Sequence, residues 1–311
     1  MGYTLQQVTV DQAELIVEIV NQHELTIDPE STPMGVEEAQ ELIEGFFDSA
    51  HCYLLVDDST QEALGFYSVN PDSNRKKLFT DVYQRPGKGL INEVIAQSFK
   101  KAVEVHPDYE HLFGVNTKDA LMREALESFG MEPIRTYWRM NRLLDPQAKA
   151  DTTKDKFEIK LVSGRQDIET WWALHQDAFS KHFGFAPRPM DLWIEQATSS
   201  STMDPEGCFI AFIDGEPAGF VQMANANYHL NGGYVDAIGV AHKFQGLGLG
   251  QLLLQHAINF SVDQGREFIE LNVDTGNESG ALKLYEKLGF KPNSSWVQYE
   301  NKKWAEIAKG L

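Results

Sequence analysis

Cysteine is nearly absent. Cys52 and Cys208 are the only two among 311 residues, too few for a disulfide framework or a zinc-type spacing, so no metal centre is expected. Long apolar runs are lacking as well; none approaches the roughly 18–20 residues that a bilayer-spanning helix needs. The opening Met1-Gly2-Tyr3-Thr4-Leu5-Gln6 carries neither a basic nor an apolar signal region, and Gln6 stands where a myristoylation motif wants Ser or Thr. A soluble, cytoplasmic protein without a membrane partner is the expectation. Positive charge is scarce: 27 Lys and Arg face 46 Asp and Glu, for a net charge of −19, and the first basic side chain is Arg75. Nothing offsets repulsion from phosphates, which argues against nucleic acid as a partner.

What is present is ordinary globular composition, 42% hydrophobic and 23% charged, which excludes long disorder as the main state. The length is a soft prior for two domains. Residues 1–150 carry 13 basic and 25 acidic side chains, and the remainder 14 and 21. An electronegative first half would favour cationic solutes, but ordinary solubilising charge is the preferred reading.

The two halves repeat each other. Cys52–Asp57 followed by Gly65-Phe66 matches Cys208–Asp214 followed by Gly219-Phe220; each reads as a β-hairpin. Gly89, Gly130, Pro133 and Tyr137 align with Gly248, Gly289, Pro292 and Trp296 at a constant offset of 159. Shared spacing of this kind argues for a duplicated domain. The boundaries expected are 1–146, a linker over 147–155 within the polar stretch Asp145 to Asp155, and 156–311. In the second copy the pattern predicts strands over Phe157–Val162, Cys208–Asp214, Ala218–Met223, Tyr234–Val240 and Phe268–Val273. It predicts helices over Asp167–Lys181, Leu192–Ala197, Leu252–Val262 and Ser279–Leu288, the last ended by Gly289. The fold class is α/β (α+β).

The informative stretch is Val240-Ala241-His242-Lys243-Phe244-Gln245-Gly246-Leu247-Gly248-Leu249-Gly250, between a strand and a helix. Such a turn bares successive N–H groups at the positive end of a helix, a natural seat for a diphosphate. A dinucleotide fingerprint fits poorly, because its third glycine would fall at Gln251 or Leu253, and no Gly-Lys-Ser/Thr follows for a Walker loop.

Gln245-x-x-Gly248-x-Gly250 after a strand ending in Val240 resembles the (Arg/Gln)-x-x-Gly-x-(Gly/Ala) signature of the GNAT acyl-CoA-dependent N-acetyltransferases. Asn277, Ala281 and Leu284-Tyr285-Glu286-Lys287-Leu288-Gly289-Phe290 resemble that family's second signature. The likeness covers about residues 157–300. It implies two tandem GNAT-like domains, each a mixed, mostly antiparallel sheet flanked by helices. It implies that acetyl-CoA, the acyl donor, lies in a gap opened between the strands around Tyr234–Val240 and Phe268–Val273. The main chain of Ile238, Gly239 and Val240 would meet the pantetheine arm. The amides of Gln245, Gly246, Leu247, Gly248, Leu249 and Gly250 would hold the diphosphate, with Asn277 and Tyr285 near the cofactor. The two-domain arrangement is similar to the tandem branch that includes mycothiol synthase, with Ala178-Phe179-x-x-His182 and Asp204-Pro205-x-Gly207 as fainter points of likeness.

The first copy departs from this pattern. At the constant offset Gln245 becomes Pro86, Gly250 becomes Ile91 and Tyr285 becomes Leu126. Proline removes an N–H donor, isoleucine crowds the anion's approach and leucine carries no proton to give. The first domain is therefore expected to keep the fold without catalysing.

Acyl transfer from a thioester to an amine needs a proton for the departing thiolate. Tyr285 is the candidate acid, its ordinary phenol pKa of about 10 lying near that of a thiol; the alternative is a packing tyrosine on an amphipathic helix. For the base, strict alternation would place Tyr234, Asp236, Ile238 and Val240 on one face, with a buried Asp236 turned toward the acceptor. Acceptor binding or a structural hydrogen bond is the alternative role for Asp236. His242 is a weaker candidate in the turn, while Trp171, Trp172, Phe179, Phe183 and Phe185 read mainly as core or pocket wall. Backbone N–H groups near Val240 would polarise the thioester carbonyl. The activity expected is acetyl transfer to the primary amine of a small molecule, the alternative being a non-catalytic acyl-CoA-binding module. The acceptor and the oligomeric state are not legible at this level.

Overall fold

The computed structural model describes residues 2–46, 48–152, 156–277 and 279–311. The chain forms two compact units, and neither is contiguous in sequence. The first contains residues 1–138, 274–276 and 293–311; the second contains 139–273 and 277–292.

The first unit begins with β1 (Tyr3–Gln7), α1 (Ala13–Ile27), α2 (Val36–Glu44), β2 (His51–Asp57), β3 (Ala63–Asp72) and β4 (Lys77–Gln84). It continues through α3 (Ile91–Val105), β5 (Glu110–Asn116), α4 (Ala120–Ser128) and the first part of β6 (Glu132–Leu143). In the second unit β6 finishes, followed by β7 (Phe157–Leu161), α5 (Arg165–Phe179), α6 (Met190–Ser199), β8 (Met203–Ile213) and β9 (Glu216–Ala224). Then come β10 (Gly232–Val240), α7 (Leu249–Asp263), β11 (Phe268–Asp274) and α8 (Ala281–Lys287). The chain closes with β12 (Lys291–Glu300) and α9 (Trp304–Ala308), which from Asn293 onward belong to the first unit.

The domain boundaries expected at 146 and 156 therefore need correction. β12 pairs antiparallel with β5, from Trp296↔Asn116 to Glu300↔Leu112, so the last strand of the second repeat completes the sheet of the first unit. From Arg139 onward, β6 lies beside β11 in the second unit, where Leu144 donates its N–H to the carbonyl of Glu267 at 2.9 Å. Pairing along a sheet edge obeys hydrogen-bond complementarity and not sequence proximity. Part of the expected linker, residues 153–155, lies outside the described residues. Ala150 is fastened to α7 by both groups of Asn259, at 3.1 and 2.7 Å.

Each unit carries the mixed, mostly antiparallel sheet that the resemblance implies. In the first, β1 to β4 are antiparallel neighbours and β4 pairs parallel with β5. In the second, β7 to β10 are antiparallel and β10 pairs parallel with β11. α1 and α2 bury Ile16, Ile19, Ala39 and Leu42 against Cys52, Leu54 and Phe66. α3 buries Val94, Ile95 and Phe99 on the opposite face, against Tyr67, Val69 and Phe113. In the second unit Trp171, Leu174, Trp193, Ile210 and Phe220 form the corresponding core under α5 and α6. Trp171 is fully buried, whereas Phe183 is half exposed, so the aromatic cluster divides between core and surface. Among the described residues no helix is long and apolar enough to cross a membrane.

Candidate active site

β10 and β11 are parallel neighbours only from Gly232↔Phe268 to Val235↔Leu271. Beyond that point β10 runs on to Val240 and β11 to Asp274 without pairing, and a wedge opens between them. The wedge begins at a bulge: against β9, Val235 faces Met223 and Ala237 faces Gln222, leaving Asp236 as the extra residue.

The bulge decides which main-chain groups line the wedge. Ala241 donates its N–H to Ala218 at 2.9 Å, on the β9 side. In an antiparallel ladder alternate residues point to opposite edges, so Ile238 and Val240 turn their N–H and C=O groups into the wedge. The Val240 carbonyl meets Gln245 Nε2 there, at 3.3 Å.

The same bulge overturns the side-chain alternation expected for Tyr234, Asp236, Ile238 and Val240. The register places Val235, Ile238 and Val240 on the α7 face and Tyr234, Ala237 and Gly239 on the opposite, α5 face. Asp236 is exposed, not buried, so a desolvated base is not what this position offers.

At the end of the wedge the turn before α7 takes the form its glycines allow. Gly246 has φ 78° and Gly248, the cap of α7, has φ 84°, both left-handed and in open space. Gln245 and Leu247 are exposed, while Leu249 is buried as the helix begins. The first N–H groups of α7 have no acceptor within the helix and point out at its positive end. A Cβ on Gly250 would lie 3.5 Å from Leu284 Cδ2 and 3.7 Å from Val240 Cγ2, so α7, α8 and the end of β10 converge here. Parallel N–H groups at a helix start fit a diphosphate, and the bare edge of β10 fits an amide-bearing arm.

The other sequence candidates fall as follows. Asn277 is half-buried, and its Oδ1 accepts from Ser279 N at 2.9 Å, shaping the approach to α8. Tyr285 is buried on α8, its ring 6.2 Å from that of Phe290. Burial pushes its hydroxyl up to about 12, so it does not keep the ordinary phenol value expected from sequence. His242 is half-buried; Asp177 Oδ2 accepts its amide at 2.7 Å and lies 3.4 Å from its Nδ1. Among the described residues no His, Cys, Asp and Glu cluster could hold a metal ion.

The first unit repeats this scaffold with its wedge cross-linked. β4 and β5 pair only from Lys77↔Glu110 to Thr80↔Phe113. Gly87, Gly89 and Gly130 have φ 75°, 66° and 76°, as Gly246, Gly248 and Gly289 do in the second copy at 78°, 84° and 84°. Gln84 faces Gly65 as Val240 faces Gly219. Arg85 donates to Leu64 at 2.8 Å, which turns Gln84 toward the wedge.

There the backbone of Gln84 meets His23 Nδ1, with N 3.3 Å and O 3.2 Å away, while His23 Nε2 lies 3.0 Å from Asp119 Oδ2. The Gln84 side chain accepts from Leu90 N at 2.7 Å, at the start of α3. Sequence reasoning missed this arrangement; the one signal was that His23 and His175 occupy equivalent places on two helices of equal length, Ala13–Ile27 and Arg165–Phe179.

The model of the acetyltransferase (GNAT) family matches residues 168–290. The mycothiol acetyltransferase of Tsukamurella paurometabola is 29% identical over 224 residues, covering 68% of this chain and 73% of that protein. That of Paenarthrobacter aurescens is 32% identical over 184 residues, covering 57% and 55% respectively, so this chain spans about half of that relative. In fold, a GCN5-related N-acetyltransferase from Sphaerobacter thermophilus superposes with a TM-score of 0.77 at 18% identity, over 96% of this chain and 95% of its own. A tandem GNAT protein from the clavulanic acid biosynthesis pathway gives 0.75 at 12%, over 96% and 98%. Residues 168–290 match the acetyltransferase (GNAT) family, and the chain is similar in sequence to the mycothiol acetyltransferases and in fold to a tandem GNAT protein.

Proposed function

We propose that the second unit transfers an acetyl group from acetyl-CoA to the primary amine of a small molecule, and that each chain takes one acetyl-CoA. The observation that carries this reading is the wedge of β10 and β11, with Ile238 and Val240 bared toward it and the Gly246–Gly248 turn at its end. The first unit offers no such edge, because His23 and the side chain of Gln84 occupy the corresponding groups.

Bound there, acetyl-CoA supplies an activated carbonyl carbon and a thiolate leaving group. The N–H groups of Gly246 to Gly250 hold the diphosphate, and those of Ile238 and Val240 meet the arm. An N–H of the same edge polarises the thioester carbonyl. The amine nitrogen bonds to the carbonyl carbon, and the C–S bond then breaks. Asp236, exposed on the bulge, takes the amine's proton directly or through water, and the Tyr285 hydroxyl donates a hydrogen bond to the sulfur, which departs as thiolate and takes its proton from solvent.

At about 12, Tyr285 stays protonated across the physiological range, which suits a donor. Full proton transfer to a thiolate of ordinary basicity, near pKa 8.5, would be uphill by about 4–5 kcal/mol. Its contribution is therefore a hydrogen bond to the sulfur that strengthens as charge develops. Mycothiol-type amines head the acceptor classes, on the strength of the relatives' names.

The test is thiol release from acetyl-CoA with a panel of small amines, including deacetylated mycothiol, alongside calorimetric titration of CoA. Turnover with one CoA per chain supports the reading, and CoA binding without turnover on any amine contradicts it.

A further inference from the structure

Glu270 is fully buried on β11, at the register position opposite Tyr234. Its Oε2 accepts from Arg139 Nε at 2.7 Å and Asn227 Nδ2 at 2.9 Å, and its Oε1 from Asn141 Nδ2 at 3.1 Å. Arg139 Nη2 also donates to Asn227 Oδ1 at 2.8 Å, closing a ring of three side chains. Burying an ion pair of this kind gains little stability over apolar packing of the same volume. What it does is fix positions.

Two side chains are held by it at the apex of the wedge. The Arg139 guanidinium lies 5.4 Å from the centre of the Tyr234 ring, within cation–π range. The Tyr234 hydroxyl accepts from Asn272 Nδ2 at 2.7 Å. Asn272 is two residues beyond Glu270 and so shares its face of β11. Tyr234 and Asn272 flank Val235↔Leu271, the last pair before the strands part, on the face away from Ile238, Val240 and α7.

Resting on the reading above, we infer that Tyr234 and Asn272 are acceptor-binding residues that set specificity for the amine, and that Arg139 and Glu270 are their positioning residues. The donor's arm and diphosphate occupy the β10 edge and the α7 turn. The acceptor must reach the thioester at the apex, and this tyrosine–amide pair is the polar surface fixed there.

The experiment is steady-state kinetics on the full chain, using the best-turned-over amine from a panel of glucosamine, cysteamine, spermidine and deacetylated mycothiol. Tyr234→Phe and Asn272→Ala should each raise KM for that amine about tenfold, the loss of one well-placed hydrogen bond, with KM for acetyl-CoA and kcat within threefold of wild type. Glu270→Gln, nearly isosteric, should move the same parameter in the same direction and leave acetyl-CoA binding unchanged. An amine KM within twofold of wild type in Tyr234→Phe, or a parallel rise in KM for acetyl-CoA, would overturn the inference while the proposed function stands. Wild-type protein that acetylates none of these amines would overturn both.

Discussion

Gln84 brings its backbone to His23 Nδ1, the N–H at 3.3 Å, at the ladder position that Val240 holds in the second unit. One histidine thus takes up a main-chain group that the other repeat leaves facing its wedge. The expected consequence is a calorimetric stoichiometry of one CoA per chain, retained in His23→Gln. A value near two would show that the cross-linked wedge opens.

The turn before α7 should govern donor affinity. Gly248 has φ 84°, and a side chain there costs about 1–2 kcal/mol or forces the turn to change. Gly248→Val should weaken acetyl-CoA binding by about tenfold or more, with the amine's KM little changed. Titration of acetyl-CoA into the variant measures it.

Tyr285→Phe should lower kcat by about 10²–10³-fold, the range for loss of one donor aimed at developing charge, without weakening CoA binding. Because the hydroxyl stands near 12, the wild-type kcat profile should show no alkaline fall from this group below about pH 10. A drop under threefold in the variant would remove Tyr285 from the chemistry.

Asp81 supplies a stability test in the first unit. Its Oδ2 accepts from Ser68 Oγ at 3.1 Å, and burial pushes its carboxyl up to about 6. The folded pKa exceeds the unfolded one, so the stability tied to the bound proton is complete below about pH 4 and is lost as pH rises through about 6. Asp81→Asn should therefore stabilise the chain at pH 8 by about 1–3 kcal/mol and make little difference near pH 4. Thermal unfolding at the two pH values measures this.

What could be read from sequence was what depends on local chemistry. Gly246, Gly248 and Gly289 marked their turns because positive φ belongs to the residue itself. The hairpins appeared because an apolar run, an acidic turn and a second run opening Gly-Phe follow one another in the chain. The bulge at Asp236 was hidden, since it exists only in the register against Met223 and Gln222. The pairing of β12 with β5 was hidden because strand partners are chosen in space. His23 and Gln84 are 61 positions apart, and no spacing rule joins them.

Amide hydrogen exchange with and without acetyl-CoA bears most directly on the donor site. Ligand should slow exchange at Ile238, Val240 and Gly246 to Gly250, and leave Gln84 and residues 87–91 unchanged. Protection at 84–91 with none at 238–250 would contradict it.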